Sequence, residues 1–539
     1  MPGSTTHTVV NQATPLVNRN LFDDNPVLTE TLAWTGAAWV GDRAHRVGQV
    51  LGSAEAADWA DDANRYPPVL HTHDRFGNRV DEIDFHPSWH RFMGLAVETG
   101  VHASPWRDPR PGAHAARAAL FSMFAQIEPG HTCPISMTYS AVPALRAAPE
   151  LSAEWEPSIT SNVYDPGLRP RQEKQGVLVG MAMTEKQGGS DVRANTTTAT
   201  PTADGSYLLR GHKWFCSAPM NDAFLVLAQA PGGLSCFLLP RVLPDGTRNR
   251  FHIQRLKDKL GNKSNASGEP EFDDAVAFLV GEEGRGVRTI IEMVNHTRLD
   301  CVIGTTGGMR QSVTEAIWHT AHRSAFGARL IDQPLMTSVL ADLALESEAA
   351  TVTMMRLAAA YDDPAEADFR RLATAVAKYW VCKRGAGHAS EALECLGGNG
   401  YIEEGPMARR YREQPLMSIW EGSGNVICLD VLRALATRPQ SGQAFLDEVE
   451  LAAGADRRLD DHLLAVKKQL AAGPGPAAAR RLTEDLALAL QGSLLVRHAP
   501  AAVADAFCAS RLEPGAGRNY GTLPDGVDTA AIVARHLPL

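Results

Sequence analysis

Glu421 stands in SIWEGSGN, residues 418–425, directly after two bulky apolar residues and directly before a Gly-Ser-Gly turn. A carboxylate in such company is either a surface residue at a turn or a base held in an apolar pocket. In a pocket, desolvation favours the protonated form and makes the carboxylate a stronger base. NVICLDVLRAL follows with apolar residues at helical spacing, so Ser423 or Asn425 can cap a helix. The N-terminus of such a helix favours an anion, and a diphosphate near 422–425 would put Glu421 close to the chemistry. A glutamate that only complements the helix dipole accounts for the same stretch.

Four other constellations could carry chemistry. MTEKQGGSDV, ending at Val192, follows an apolar run; Thr184 and Ser190 offer hydroxyls, and Gly188 and Gly189 let backbone approach a ligand. An ordinary Gly-Gly turn fits it too. HKWFCSAP, 212–219, places Trp214 to cover a flat cofactor with Cys216 and Ser217 as polar contacts, or is a core strand whose aromatics pack. In RSAFG, 323–327, Arg323 could pair with a phosphate and Phe326 could stack on a base. The plainer account is a helix-end salt bridge with Gly327 as C-cap. LGGNGY, 396–401, has three glycines in four residues, a density that suits backbone lying against a ligand. His86 and His90 share helical spacing and His71 and His73 flank one residue, but no third ligand has a readable place, so no metal site is expected. Neither a GxSxG elbow nor a P-loop is present, and no GxGxxG follows a strand before a helix.

These residues need elements to hold them. From about Asn25 to Ala148 the chain reads helical, as in AARAALFSMFAQIE. Near Gly176 the texture changes: GVLVGMAM is a short apolar run, 196–217 alternates around an Asp-Gly turn at 204–205, and AFLVLAQAPGGLSCFLLP is two strand-like runs about a Pro-Gly-Gly turn. The β-rich stretch ends near Glu283, and long helical periodicity returns from Val287 to about Thr437. GPGP at 473–476 interrupts a last helical stretch, 445–512, before a turn-rich tail. Strands and helices are segregated, so the fold class is multidomain α+β rather than a doubly wound sheet. The expected domains are 1–178 (N-terminal extension and helical domain), 179–286 (β domain), 287–440 (helical bundle) and 441–539 (additional helical domain).

With 539 residues the chain is long enough for several domains and a sizeable core. A net charge of −10 argues against a polyanion binder unless a local basic patch exists. Eight scattered cysteines without a CxxC pair suggest no disulfide framework and a reduced, cytoplasmic protein. No signal-like start and no run of about 20 apolar residues are seen, so no membrane partner is expected.

As an ordered set the five constellations resemble the acyl-CoA dehydrogenase superfamily. MTEKQGGSDV is similar to that family's TEPxxGSD loop, HKWFCS to KxWIT(N/S), RSAFG to RxxFG, LGGNGY to GGxGY/F and WEGSGN to YEGTxxI/V. RLKDKLGNKSNAS (255–267), YREQPLMSIWEGSGNVICLDVLR and the added C-terminal region look like the AidB-type, adaptive-response branch, a likeness that begins at THTVVNQ (7–13). The resemblance implies an N-terminal helical domain, a middle β barrel, a C-terminal four-helix bundle and an extra helical domain. It implies FAD, lined by Met181, Met183, Thr184, Gly189, Ser190, Trp214, Phe215, Cys216 and Ser217. Arg323, Phe326, Gly397 and Gly398 would reach the FAD of a neighbouring subunit, Gln333 would be a further cofactor contact, and Ile419, Trp420, Gly422, Ser423 and Asn425 would hold the ring and diphosphate of their own or a facing chain. Such sharing implies a homotetramer, a dimer of dimers.

By the same resemblance Glu421 is the catalytic base, taking the α-proton of an acyl-CoA thioester while the β-hydride passes to flavin. Some subfamilies carry the base on the long helix; here that position is Thr297, before Arg298, and a threonine cannot serve. Thr184, Ser190, Asn295 and Arg298 would meet the substrate. Asn295 stands where the family often has Asp, Glu394 where it has Gln, and Cys216 where a small β-branched or polar residue is usual. The expected function is α,β-dehydrogenation of an acyl-CoA, slow or on an atypical substrate. The alternative is an AidB-like protective flavoprotein binding double-stranded DNA in the alkylation response. From Arg438 onward 11 Lys+Arg face 12 Asp+Glu, a net of −1, which is a weak footprint for DNA. The pairs Arg457-Arg458, Lys467-Lys468 and Arg480-Arg481 could still gather on one face.

Overall fold

A computed structural model describes residues 6–515 and 517–538, which divide into two compact units. Unit 2 is Glu55–Asp300; unit 1 joins the residues up to Ala54 with those from Cys301 onward.

The helices of unit 2 are led by Ala113–Ile127, in which all 15 residues are buried, and Thr132–Leu145. Ala, Leu, Phe and Met on every side of a helix leave no wet face, so such helices lie in the interior. Their connecting turn is built on Glu128. Its buried carboxylate accepts from the backbone N–H of Gly130 (3.0 Å) and His131 (2.8 Å), from His131 Nδ1 (3.0 Å), from Ser264 Oγ (2.6 Å) and from Asn64 Nδ2 (3.2 Å). Burial pushes this carboxyl up, but the hydrogen bond and charge of His131 and the Ser264 hydroxyl outweigh it and hold the group at about 2. Gly130 is required here, because an added Cβ would lie 1.8 Å from Ser264 Oγ.

One part of this region departs from the helical reading of 25–148. Val69–His73 and Arg79–Asp84 pair as an antiparallel hairpin, Val69 opposite Asp84. Asp74 Oδ1 accepts from Phe76 N (2.8 Å) and Asn78 N (2.9 Å), a turn that the helical texture on either side obscured. The histidines have local partners: His71 contacts Asp84, His86 accepts from Ser88 N at the start of Pro87–Glu98, and His90 pairs with the Tyr164 hydroxyl.

The eight-stranded sheet of unit 2 is the middle β-barrel region. Ala223–Ala230 and Gly233–Pro240 pair from Ala223↔Pro240 to Ala230↔Gly233 across a two-residue turn. Tyr207–His212 pairs with Thr198–Pro201 around Asp204-Gly205. Ser267–Val280 pairs in turn with Tyr207–His212, Cys216–Ser217, Gly233–Pro240 and Phe251–Leu256. Val179–Ala182 runs parallel to Ala223–Ala230. The sheet encloses an apolar core that includes Phe224, Phe237, Phe251 and Phe272.

Unit 1 is helical. Ala367–Glu394 packs against Pro334–Ala360, Pro406–Met417, Gly424–Thr437, Pro439–Glu450 and Ala479–His498. Helix Pro334–Ala360 buries three acids, Asp342, Glu346 and Glu348. Their cations arrive from far along the chain. Arg511 pairs with Asp342 and Glu346, Arg384 with Glu346 (2.9 Å), and Arg535 (3.1 Å) and His536 (3.1 Å) with Glu348. All eight cysteines are buried and none forms a disulfide. Among the described residues no helix is long and apolar enough to cross a membrane, and no group of three or more His, Cys, Asp and Glu could hold a metal ion.

Candidate active site

The residues singled out in the sequence fall into two groups, one in each unit. In unit 2, strand Val179–Ala182 delivers Met181, which is buried, and leads into Met183 and Thr184. Trp214 N donates to Thr184 O at 2.8 Å, so the MTEKQGGSDV and HKWFCSAP stretches are joined through backbone. A second joint is an ion pair that the sequence did not reveal. Lys213 Nζ lies 2.8 Å from Glu185 Oε1, and both side chains are fully buried. Lys213 also donates to Leu227 O (2.8 Å), and Glu185 accepts from Gln187, Thr196 and Thr197. Burial pushes the Glu185 carboxyl up, yet the Lys213 charge and these donors hold it well below the usual carboxylate range.

Gly189 sits where a Cβ would lie 2.4 Å from Thr184 Oγ1, so the loop closes tightly on Thr184 and leaves Ser190 exposed. Trp214 has Lys257 Nζ 3.2 Å from its ring centroid, with Lys186 Nζ and Arg255 Cζ each at 5.7 Å. Phe215 is exposed, whereas Cys216 points into the sheet core; burial pushes its thiol up to about 12, so it stays protonated. On the long helix, Thr297 Oγ1 turns back to Val294 O (3.0 Å), Arg298 is buried and Asn295 half-buried.

In unit 1, the long helix ends at His322. Ser324–Ala325 and Ala328–Arg329 then form a minute hairpin whose two turn residues are Phe326 (φ 54°) and Gly327 (φ 83°). Gly327 is therefore half of a turn with positive φ at both positions rather than a helix C-cap. A phenylalanine held in the left-handed region costs about 1 kcal/mol or more. Here that residue is also 100% exposed, an arrangement with no benefit to the isolated chain. Arg323 Nη1 donates to Asn11 O (2.7 Å), and Gln333 Nε2 ties the hairpin to helix Pro334–Ala360 through Ala325 O (2.9 Å). Gly397 (φ 58°) and Gly398 are exposed, with open space where their Cβ atoms would be.

Glu421 (φ 58°) and Gly422 (φ 111°) are consecutive left-handed residues between helices Pro406–Met417 and Gly424–Thr437. Trp420 packs on Cys301, Cys382 and Met417, so Glu421 follows an apolar patch. Ile419 lies exposed before it. Ser423 occupies the N-cap, but neither its hydroxyl nor Asn425 caps the helix; Asn425 Oδ1 accepts instead from Arg480 Nε (2.8 Å). Lys378 Nζ donates to Gly422 O at 2.5 Å. Sequence reasoning passed over Lys378 and named Arg480 only as half of a basic pair. The one available signal was a lysine set among small and apolar residues in TAVAKYWV.

A helical N-terminal part, a β-barrel middle and helical C-terminal parts, with these loops, define the acyl-CoA dehydrogenase architecture. Three family profiles match in sequence: the adaptive response protein AidB N-terminal domain over residues 11–166, the acyl-CoA dehydrogenase middle domain over 180–275 and its C-terminal domain over 284–436. AidB of Escherichia coli K12 is 46% identical over 517 residues, 95% of each chain. Acyl-CoA dehydrogenase family member 11 of Caenorhabditis elegans is 31% identical over 475 residues, 80% of this chain and 76% of that protein. The crystal structure of the C. elegans protein ACDH-11 in complex with C11-CoA superposes with a TM-score of 0.87 at 26% identity, covering 98% of both chains. The chain belongs to the AidB branch of the acyl-CoA dehydrogenase family.

FAD is the cofactor of this family, and a structure from Bacillus anthracis with the same fold, 19% identical, contains it. The residues present fit such a group. The Trp420 indole N–H is buried without a hydrogen-bond partner, the backbone at Gly397 and Gly398 is open, and Phe326 offers a bare ring. A flat aromatic ring system with a diphosphate would use each of these.

Proposed function

We propose that this chain is an FAD-dependent acyl-CoA dehydrogenase in which Glu421 is the base, acting slowly or on an atypical acyl-CoA. One observation carries the reading: Glu421 is held in a left-handed turn directly after the Trp420 patch and directly before helix Gly424–Thr437. The C11-CoA held by the C. elegans structure supports an acyl thioester as ligand class.

When bound, FAD supplies the acceptor for the β-hydride. The chain's own work is to bind, orient and move a proton. Met181, Met183, Thr184, Gly189, Ser190 and Trp214–Ser217 flank the ring. Ile419, Trp420, Gly422, Ser423 and Asn425 hold ring and diphosphate. Arg323, Phe326, Gln333, Gly397 and Gly398 serve the cofactor of a neighbouring copy, within a homotetramer of the four-part chain (1–178, 179–286, 287–440, 441–539). Glu421 accepts the α-proton at its carboxylate; Thr184, Ser190, Asn295 and Arg298 meet the substrate. Thr297 takes no part, since its hydroxyl is committed to its own helix.

The test is anaerobic mixing of the FAD-loaded protein with a panel of acyl-CoAs. Flavin bleaching is expected with at least one member, slowed by about 10²–10⁴ in Glu421→Gln, the range of a lost general base. A dithionite-reducible protein that no acyl-CoA bleaches sinks the reading.

DNA association is the second reading, and the local charges weigh against it. Arg457 pairs with Asp461, Arg458 with Asp456 and Asp505, Lys467 with Glu450, and Arg481 with Asp485. Cations already neutralised release fewer phosphate counterions. Duplex titration at 50 mM and 200 mM salt distinguishes the readings, and a steep salt dependence would favour DNA.

A further inference from the structure

The loop bearing Glu421 is anchored at its centre by a buried cation. Lys378 lies in the middle of helix Ala367–Glu394 with its side chain 1% exposed. Its one hydrogen-bond partner among the described residues is a carbonyl, Gly422 O, at 2.5 Å. An ammonium taken out of water without a carboxylate partner is expensive, and an apolar residue of similar volume would spare that cost. What the lysine gains is a fixed peptide plane. Gly422 O can meet Nζ only if the 422–423 peptide faces helix Ala367–Glu394, and that sets the turn between Glu421 at φ 58° and Ser423 at φ −66°.

The flanks of the loop are held separately. Ile419 N (2.9 Å) and Trp420 N (3.2 Å) donate to Leu416 O on the upstream side, and Ile427 N donates to Ser423 O (3.0 Å) downstream. Left-handed backbone at a residue with a side chain persists only where its surroundings impose it. Without the Nζ–carbonyl bond Glu421 can return to the ordinary region of negative φ, which swings its carboxylate away.

We infer that Lys378 is a positioning residue for Glu421, holding the base in place through the Gly422 carbonyl. The inference rests on Glu421 being the base, and the experiment separates the two. Full-length Lys378→Met, Lys378→Arg and Glu421→Gln are loaded with FAD and compared with the unchanged chain in two ways. The first is amide hydrogen exchange across 416–427, with 340–360 as internal reference. The second is anaerobic flavin reduction over a range of acyl-CoA concentrations. In Lys378→Met, 416–427 is expected to exchange faster while 340–360 does not. The limiting reduction rate falls by about a hundredfold, the effect of misplacing a reacting group by an ångström, with half-saturation changed less than threefold. Lys378→Arg, which keeps a donor, recovers part of both. Protection of 416–427 equal to the unchanged chain in Lys378→Met overturns the inference. Should Lys378→Met not fold, Lys378→Gln, whose amide nitrogen stops one bond short of the Nζ position, takes its place, and exchange of 416–427 equal to the unchanged chain overturns the inference equally. Full activity in Glu421→Gln would instead remove Glu421 as base and leave the exchange result to judge the anchor.

Discussion

Lys213 and Glu185 form a solvent-free ion pair, Nζ to Oε1 2.8 Å, that locks two loops of unit 2 to each other. Each loop belongs to one of the family's recognisable stretches, so a single pair fixes both. Removing one partner strands a charge. Lys213→Met is expected to lower the stability of unit 2 by about 3–5 kcal/mol in urea unfolding. Lys213→Met combined with Glu185→Leu should restore much of it, because the stranded carboxylate goes as well. A loss in the double variant equal to the sum of the losses in Lys213→Met and Glu185→Leu would show that the pair is not coupled.

Phe326 makes a sharper separation between fold and ligand. It is fully exposed and already in an unfavourable backbone region, so Phe326→Ala should leave urea unfolding of the apoprotein within about 0.5 kcal/mol. FAD retention should weaken about tenfold, the worth of one aromatic stack. Fluorescence titration with FAD reads the second effect. Unchanged affinity would exclude Phe326 from the cofactor site.

Glu128 predicts a pH effect with a definite sign. Its carboxyl falls from the ordinary 4.5 to about 2 on folding. A depressed folded value contributes stability that is complete above the unfolded value and disappears as pH drops through the folded one. The shift is worth at most about 3 kcal/mol. Glu128→Gln should therefore cost most at pH 7, and the gap to the unchanged chain should close between about pH 5 and pH 2. Guanidinium unfolding at pH 7, 4.5 and 3 measures it; a gap independent of pH would contradict the assignment.

Much of this fold was legible where turn chemistry is local. Asp204-Gly205 and Pro231-Gly232 announced their hairpins, and both pair as expected. The hairpin at 69–84 was hidden because short alternating runs lie inside a helical neighbourhood. RSAFG was legible as a cofactor-like stretch but not as a hairpin, since a phenylalanine at positive φ violates local preference. That violation is itself a sign of function. Lys213, Glu185 and Lys378 escaped notice for a different reason. The Lys213–Glu185 partners lie 28 residues apart and Lys378 and Gly422 44 apart, and nothing in a linear text links them.

Unit 1 closes on itself from both directions of the chain, and that sets an order of events during synthesis. Arg384 reaches Glu346 soon after its helix is made, but Arg511, Arg535 and His536, the cations that pair with Asp342 and Glu348, emerge last. Until those residues are made, Asp342 and Glu348 on helix Pro334–Ala360 lack the cations that pair with them. Glu55–Asp300 has no such wait, because its own buried pairs, Lys213–Glu185 and Arg117–Asp300, are complete once residue 300 is out. The nascent protein thus passes through a stage in which one half has its charges matched while the other must stay hydrated and open, with its N-terminal 54 residues waiting for a partner more than 240 residues away.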